Sequence, residues 1–145
     1  MKRKNIVFLS LALVMIASMS LFLSGCLFDS TPDVAVNELY YCAPSRINTE
    51  DIREVDFLIF VDKTNFIYTT EQKTVSNQTK YSILAEFEEE DYLPTTNKIV
   101  NGKKVYTYET GEGRSIEITV VSQDTLHVKF VNNSTIEFDM TRYVA

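Results

Sequence analysis

Residues 114–142 read RSIEITVVSQDTLHVKFVNNSTIEFDMTR, and this stretch decides the fold class. Ile116, Ile118 and Val120 alternate with Ser115, Glu117 and Thr119. Leu126, Val128 and Phe130 alternate with His127 and Lys129, and Ile136, Phe138 and Met140 with Glu137, Asp139 and Thr141. Side chains of a strand point to opposite faces with a period of two, so each run predicts a strand that is apolar on one face and polar on the other. The separators SQD and NNS are turn-forming residues of the hairpin type. Three strands joined this way make an antiparallel meander with one face on a core.

The pattern continues upstream. Asn101-Gly102 lies between KIV and KKVYTYE, and both residues tolerate the positive φ of a type I′ hairpin turn. GEG at 111–113 marks the next turn. Val55, Phe57, Ile59 and Val61 alternate with Asp56, Leu58, Phe60 and Asp62, so both faces are apolar in the middle and the strand reads as central. DKTN turns the chain back into FIYTTE. EQKTVSNQ is a polar loop, and TKYSILAEFE reads as a further strand with Tyr81, Ile83, Ala85 and Phe87 on one face. EEEDYLPTTN reads as a loop or frayed strand end stopped by Pro94, and NELYYC as an edge strand or short turn docked on the domain. TEDIRE is at most a short helical turn.

Seven to eight short strands with almost no helix predict an all-β domain. A small antiparallel up-and-down barrel fits best, with a β-sandwich as the alternative. The expected interior is Phe57, Ile59, Ile83, Phe87, Ile116, Ile118, Leu126, Val128, Phe130, Ile136 and Phe138. These side chains are bulky enough to fill an eight-strand barrel.

The chain opens MKRKN, basic and without acids, and continues into an apolar run over 6–23 broken only by serines. That is the layout of an export signal helix, and its length alone leaves removal and retention both open. Its end, Leu23-Ser24-Gly25-Cys26, resembles the lipobox of bacterial lipoproteins. The resemblance implies a signal peptide over 1–25, cleavage between Gly25 and Cys26, and palmitate-type acyl chains on the sulfur and new amine of Cys26. Two or more chains anchor stably where one does not. Residues 26–50 are then a lipidated tether and docking segment, and 51–145 the barrel domain. Leu27 is not Asp, which by the same resemblance implies the outer membrane of a two-membrane cell, or else the outer face of the cytoplasmic membrane.

A second resemblance lies in DKTNFIYTT, then TKYSI, then SQDTLHVKFVNNSTIEFDMTRY, an order similar to the small lipocalin-like lipoproteins of bacteria. It implies the barrel and, by the usual lipocalin role, a small apolar ligand. The chain has no Trp, so the Gly-x-Trp signature of that family's first strand is missing.

Charge and composition narrow the functions. Removing Lys2, Arg3 and Lys4 takes the 14 basic residues to 11 against 20 acids, a net charge of −9. Such a surface repels nucleic acid and anionic headgroups. With Cys26 acylated, Cys42 has no intramolecular partner, and it reads as a small buried hydrophobe. One His and one remaining Cys do not build a usual zinc or copper site, and EFEEEDY lacks the spacing and Gly of a calcium loop. No metal or cofactor is expected. His127 reads as a surface or rim residue.

Two features are candidate partner contacts. Glu88, Glu89 and Glu90 offer an electrostatic surface to a basic partner. Tyr106 and Tyr108 share a face; turned outward they form an aromatic stripe for a partner, turned inward they are core. The expected function is a lipid-anchored, non-enzymatic binding or structural module of the bacterial cell envelope. It recognises a protein partner or a small apolar ligand. The alternatives are an envelope hydrolase or inhibitor-type module with active residues on loops, and an immunoglobulin-like sandwich serving in adhesion or assembly.

Overall fold

The computed structural model describes residues 31–48, 50, 53–132 and 135–145. The expected signal peptide, the Gly25–Cys26 cleavage and the Cys26 lipid site lie outside the described residues, as do parts of TEDIRE and of the NNS turn. Among the described residues the chain is all-β apart from one α-helix and one 3-10 turn. The strands are β1 (Leu39–Cys42), β2 (Val55–Phe60), β3 (Asn65–Glu71), β4 (Leu93–Pro94), β5 (Thr96–Val100), β6 (Lys103–Gly111), β7 (Arg114–Ser122), β8 (Thr125–Val131) and β9 (Ile136–Arg142). They form one sheet in the order β4-β3-β2-β1-β9-β8-β7-β6-β5, antiparallel throughout.

The result is a nearly closed up-and-down barrel. β1 pairs with β9, Tyr40 opposite Arg142 and Tyr41 opposite Thr141, so the first strand meets the last. The sheet's two outer members, β4 and β5, are consecutive in the chain and separated by Thr95 alone. One nearly continuous strand therefore pairs with β3 through its first residues and with β6 through its later ones. Thr95 is pinned at this seam, its N–H and Oγ1 both donating to the Thr64 carbonyl, at 2.6 and 2.9 Å.

The register of the last three strands follows their alternation: Ile118 lies opposite Val128, and Val128 opposite Phe138. Asn101 and Gly102 take φ values of 50° and 75°, as their hairpin requires. At the DKTN turn, the Asp62 carboxylate accepts from the N–H groups of Thr64 and Asn65 at 2.6 and 2.8 Å. This pairing places the β2–β3, β5–β6 and β7–β8 turns at one end of the barrel, together with the chain's entry into β1 and its exit from β9. We call this the entry end and the opposite one the far end.

Several expectations are corrected. TKYSILAEFE is not a strand but belongs to helix α1 (Asn77–Glu86). Ser76 caps it, its side chain accepting from the Thr79 N–H at 3.3 Å. Tyr81, Ile83, Ala85 and Phe87 do alternate, but Thr79, Ile83 and Phe87 also recur every four residues. Lys80, Leu84, Ala85 and Glu86 are good helix formers. Thr79 and Ile83 are buried while Tyr81 is exposed. Pro94 is the last residue of the two-residue strand β4, opposite Asn65, and the pairing resumes in β5 after Thr95 alone. A proline is tolerated there because β4 is an outer member of the sheet and its missing N–H breaks no central ladder. NELYYC is not an edge: β1 lies between β2 and β9, so the barrel begins well before residue 51. The compact unit spans Thr31–Ala145.

There are two apolar clusters. Inside the barrel pack Tyr40, Leu58, Phe60, Phe66, Tyr106, Ile116, Ile118, Val120, Leu126, Val128, Phe138 and Met140. Outside it, Ile83 of α1 covers Leu39, Val55, Phe57, Ile59 and Ile67, with Phe87 packed against them. Phe57, Ile59, Ile83 and Phe87, expected in the interior, thus belong to the outer cluster. The parity of β2 is the reverse of the one expected: Leu58 and Phe60 point inward, and Asp56 with them.

Candidate functional site

At the entry end the segment before β1 crosses the barrel. Val36 bridges to Phe60, the Asn37 N–H donates to the Phe60 carbonyl at 2.8 Å, and Val34 and Ala35 are buried in the inner cluster. The Ala35 N–H donates to the Tyr40 hydroxyl at 3.1 Å, and that hydroxyl donates to the Gln123 carbonyl at 2.8 Å. Asp33 fastens the strap: its carboxylate accepts from the Tyr106 hydroxyl, from Lys104 Nζ at 2.9 Å and from Lys63 Nζ at 3.0 Å. Partial burial works against the charge on Asp33. The hydrogen bonds from Tyr106, Lys104 and Lys63 outweigh it and hold the carboxyl well below the usual carboxylate range. Burial, then the Asp33 carboxylate, push the Tyr106 phenol well up.

Toward the far end the interior is polar on one side. Buried Asp56 accepts from Ser45 Oγ at 2.6 Å, the Arg46 N–H at 2.7 Å and Thr70 Oγ1 at 2.9 Å. The buried Tyr68 hydroxyl, by contrast, makes no hydrogen bond. Burial first, and then the charge of Asp56, push the Tyr68 phenol far above its ordinary range. Burial also pushes the Cys42 thiol up, away from the reactive thiolate.

Between the two ends, rings occupy the barrel axis. Phe60 contacts Phe66 and Tyr106 at centroid distances of 5.7 and 4.9 Å, and Phe66 contacts Tyr108 at 6.2 Å. Tyr68 meets Phe130 at 5.3 Å, and Phe130 stacks on Phe138 at 6.1 Å. Of the two placements open for Tyr106 and Tyr108, both rings take the inward one. Fully buried Tyr106 is not a partner contact, because its ring fills the core and its hydroxyl holds the strap. Tyr108 is half-buried against the same cluster.

Glu88, Glu89 and Glu90 are exposed at the 3-10 turn Glu89–Asp91, in which the Glu88 N–H donates to Asp91 Oδ2 at 3.0 Å. Glu89 lines a hollow of about 270 Å³ with Asp62, Asn65 and Tyr92. Hydrogen bonds from the Asn65 side chain and from Thr64 bring the Asp62 carboxyl down to about 2. His127 stands on the outer face of β8 between two carboxylates, Nδ1 at 2.8 Å from Asp139 and Nε2 at 3.2 Å from Glu137. The Asp139 hydrogen bond leads in raising its pKa. With both nitrogens so engaged the ring suits the imidazolium form, which is neither a base nor a metal ligand. Among the described residues no group of three or more His, Cys, Asp or Glu side chains is placed to hold a metal ion.

The sequence reading missed Asp33, Lys104 and Asp56 as organising residues. Asp33 lies in a stretch read as tether, and its partner Lys104 is 71 positions away; no local pattern announces such a pair. No family model, curated protein or solved structure matches this chain.

Proposed function

We propose that the protein is a lipid-anchored module of the bacterial cell envelope that recognises a protein partner through its outer surface, by binding and not by turnover. The observation that carries this reading is the filled axis. Phe60, Phe66, Tyr106 and Tyr108 at one level, and Tyr68, Phe130 and Phe138 at the next, occupy the space in which a carrier of this shape would hold an apolar ligand. The strap of residues 33–36 covers the entry end. Recognition is left to the outside, where Glu88, Glu89 and Glu90 present acids to a basic partner. The anchor reading rests on the basic start, the apolar run and Leu23-Ser24-Gly25-Cys26. It carries with it the location, the outer membrane of a two-membrane cell or the outer face of a single one.

Titration of the purified full chain with a fluorescent fatty acid tests the ligand side. No saturable binding is expected, and stoichiometric binding displaced by unlabelled fatty acid overturns the surface reading. Metabolic labelling with an acyl analogue tests the anchor: equal labelling of Cys26→Ala, or none of the wild type, sinks it. A photo-crosslinker at Glu89 is expected to give a discrete adduct in cells that charge reversal at Glu88 and Glu90 removes.

A further inference from the structure

The seam that closes the barrel is short. On the β3 side the Thr95 N–H donates to the Thr64 carbonyl and Leu93 lies opposite Phe66, and the pairing goes no further. Bonded pairs of an antiparallel ladder recur at every second residue. The Val61 N–H donates to the Asn65 carbonyl, so in the same series Ile67 and Thr69 direct their backbone groups to β2. Those of Tyr68 and Thr70 point to the opposite edge, where the next partners in register would be Asp91 and Glu89. Both are wound into the 3-10 turn Glu89–Asp91 instead, and among the described residues no strand lies beside that edge of β3.

The β6 side has the matching gap. The two-residue turn at Asn101-Gly102 makes Val100 and Lys103 a bonded pair, and Lys98 with Val105 and Thr96 with Thr107 follow. Next in that series is Glu109 with Pro94, and a proline has no N–H to give the Glu109 carbonyl. The wall is thus open between residues 68–71 of β3 and 109–111 of β6, from the Pro94 seam to the far end. At the seam one strand separates β3 from β6, a distance of about 10 Å, so the gap is one strand wide at its foot. A hollow of about 310 Å³ lies there, lined by Pro94, Thr95, Thr96, Thr107, Tyr108 and Glu109. The surroundings are acidic. Asp91 comes two residues before Leu93 with Glu88, Glu89 and Glu90 ahead of it, Glu109 and Glu117 share a second hollow with Lys98, and exposed Glu112 precedes Arg114 in the β6–β7 turn. Glu71 is bridged by Lys73.

We propose that this gap receives an extended basic segment of a partner protein, added as a strand between β3 and β6. Its N–H and C=O groups pair with Tyr68, Thr70 and Glu109. In strand addition the main-chain bonds give affinity and alternate side chains give specificity. Side chains of the added strand that point inward meet half-buried Tyr68 and Tyr108, and those that point outward meet Glu109 and Glu117. A segment alternating apolar with basic residues fits both faces. A strand antiparallel to β3 and β6 also brings its C-terminal end to the foot, between Glu109 and the acidic turn. The proposal rests on the protein-partner reading above and names the part of the partner that docks.

The probe is a hexapeptide of alternating valine and lysine, added to the isotope-labelled full chain in non-ionic micelles. Amide exchange at Tyr68 and Thr70 is expected to slow about tenfold or more, while Ile67 and Thr69, already in the β2 ladder, stay as they were. Glu109→Lys is expected to weaken binding about fivefold. N-methylation of alternate peptide residues removes the donors and is expected to abolish the protection. No binding overturns the proposal, as does equal binding of a valine–glutamate hexapeptide or binding without protection at Tyr68 and Thr70. Protection that rises with protein concentration alone assigns the gap to a second copy and overturns it too. The two readings separate cleanly. A Glu89 adduct in cells with no protection by the peptide sinks the gap and leaves the protein partner, whereas protection in a protein that gives no adduct does the opposite.

Discussion

Strands β2 and β5 belong to one sheet and sit at opposite extremes: every residue of β2 is buried and every residue of β5 exposed. VDFLIF has rings of the inner cluster on one side and α1 on the other, and it is paired along its length with both β1 and β3. TNKIV is paired with β6 alone and runs past the barrel wall. The difference is one of covering layers. β2 is held by burial, and β5 by a single ladder and a turn whose residues accept positive φ. The stability of the domain should therefore be concentrated around β2, leaving β5 free to vary.

The sharpest way to break that contrast is Phe57→Ala, which removes a fully buried ring beneath α1. A loss of about 3–5 kcal/mol is expected in chemical denaturation. Asp56→Ala comes next at about 2–3 kcal/mol, since it leaves Ser45, the Arg46 N–H and Thr70 without their common acceptor. Tyr68→Phe goes the other way. It deletes an unpartnered buried hydroxyl and is expected to stabilise by about 1 kcal/mol. A destabilised Tyr68→Phe protein would mean that this hydroxyl has a partner.

His127 gives a smaller, pH-dependent effect. Its pKa is raised in the fold, so its contribution is fully present below the ordinary histidine value and lost as pH rises through the raised one. Discounted for exposure, the drop in denaturation free energy is roughly half a kcal/mol, and Asp139→Asn should remove most of it. At the bottom of the scale, Ile99→Ser is expected to change stability by less than about 0.5 kcal/mol. A drop comparable to that of Phe57→Ala would erase the distinction between the two strands.

Residues 114–142 were legible because one face is wet and the other dry, so alternation maps directly onto inside and outside. The same rule fails at β2, where both faces are apolar and alternation alone does not turn Leu58, Phe60 and, above all, Asp56 inward. Its three donors make the inward placement tolerable, and they come from loop and strand positions that no periodicity connects. α1 was ambiguous because positions spaced by two and by four overlap at Ile83 and Phe87. A clue did exist. A strand apolar on both faces, in a barrel otherwise wet outside, demands an outer cover, and the segment after β3 is the nearest chain available. Tyr106 and Tyr108 could be placed in either direction from sequence, and the strap that fixes Tyr106 is joined by contacts across more than 70 residues.

Because β1 pairs with β9, the ring closes between residues about a hundred positions apart. Contacts of such separation form late, after the local hairpins have met. Until β9 arrives, β1 has one open edge and the Asp33 strap has an unfinished barrel to cross. A chain still emerging from its site of synthesis, or passing through a narrow channel, thus lacks the element that completes its fold. Closure of the barrel is therefore the step that needs the whole domain, because the partner of its first strand is its last.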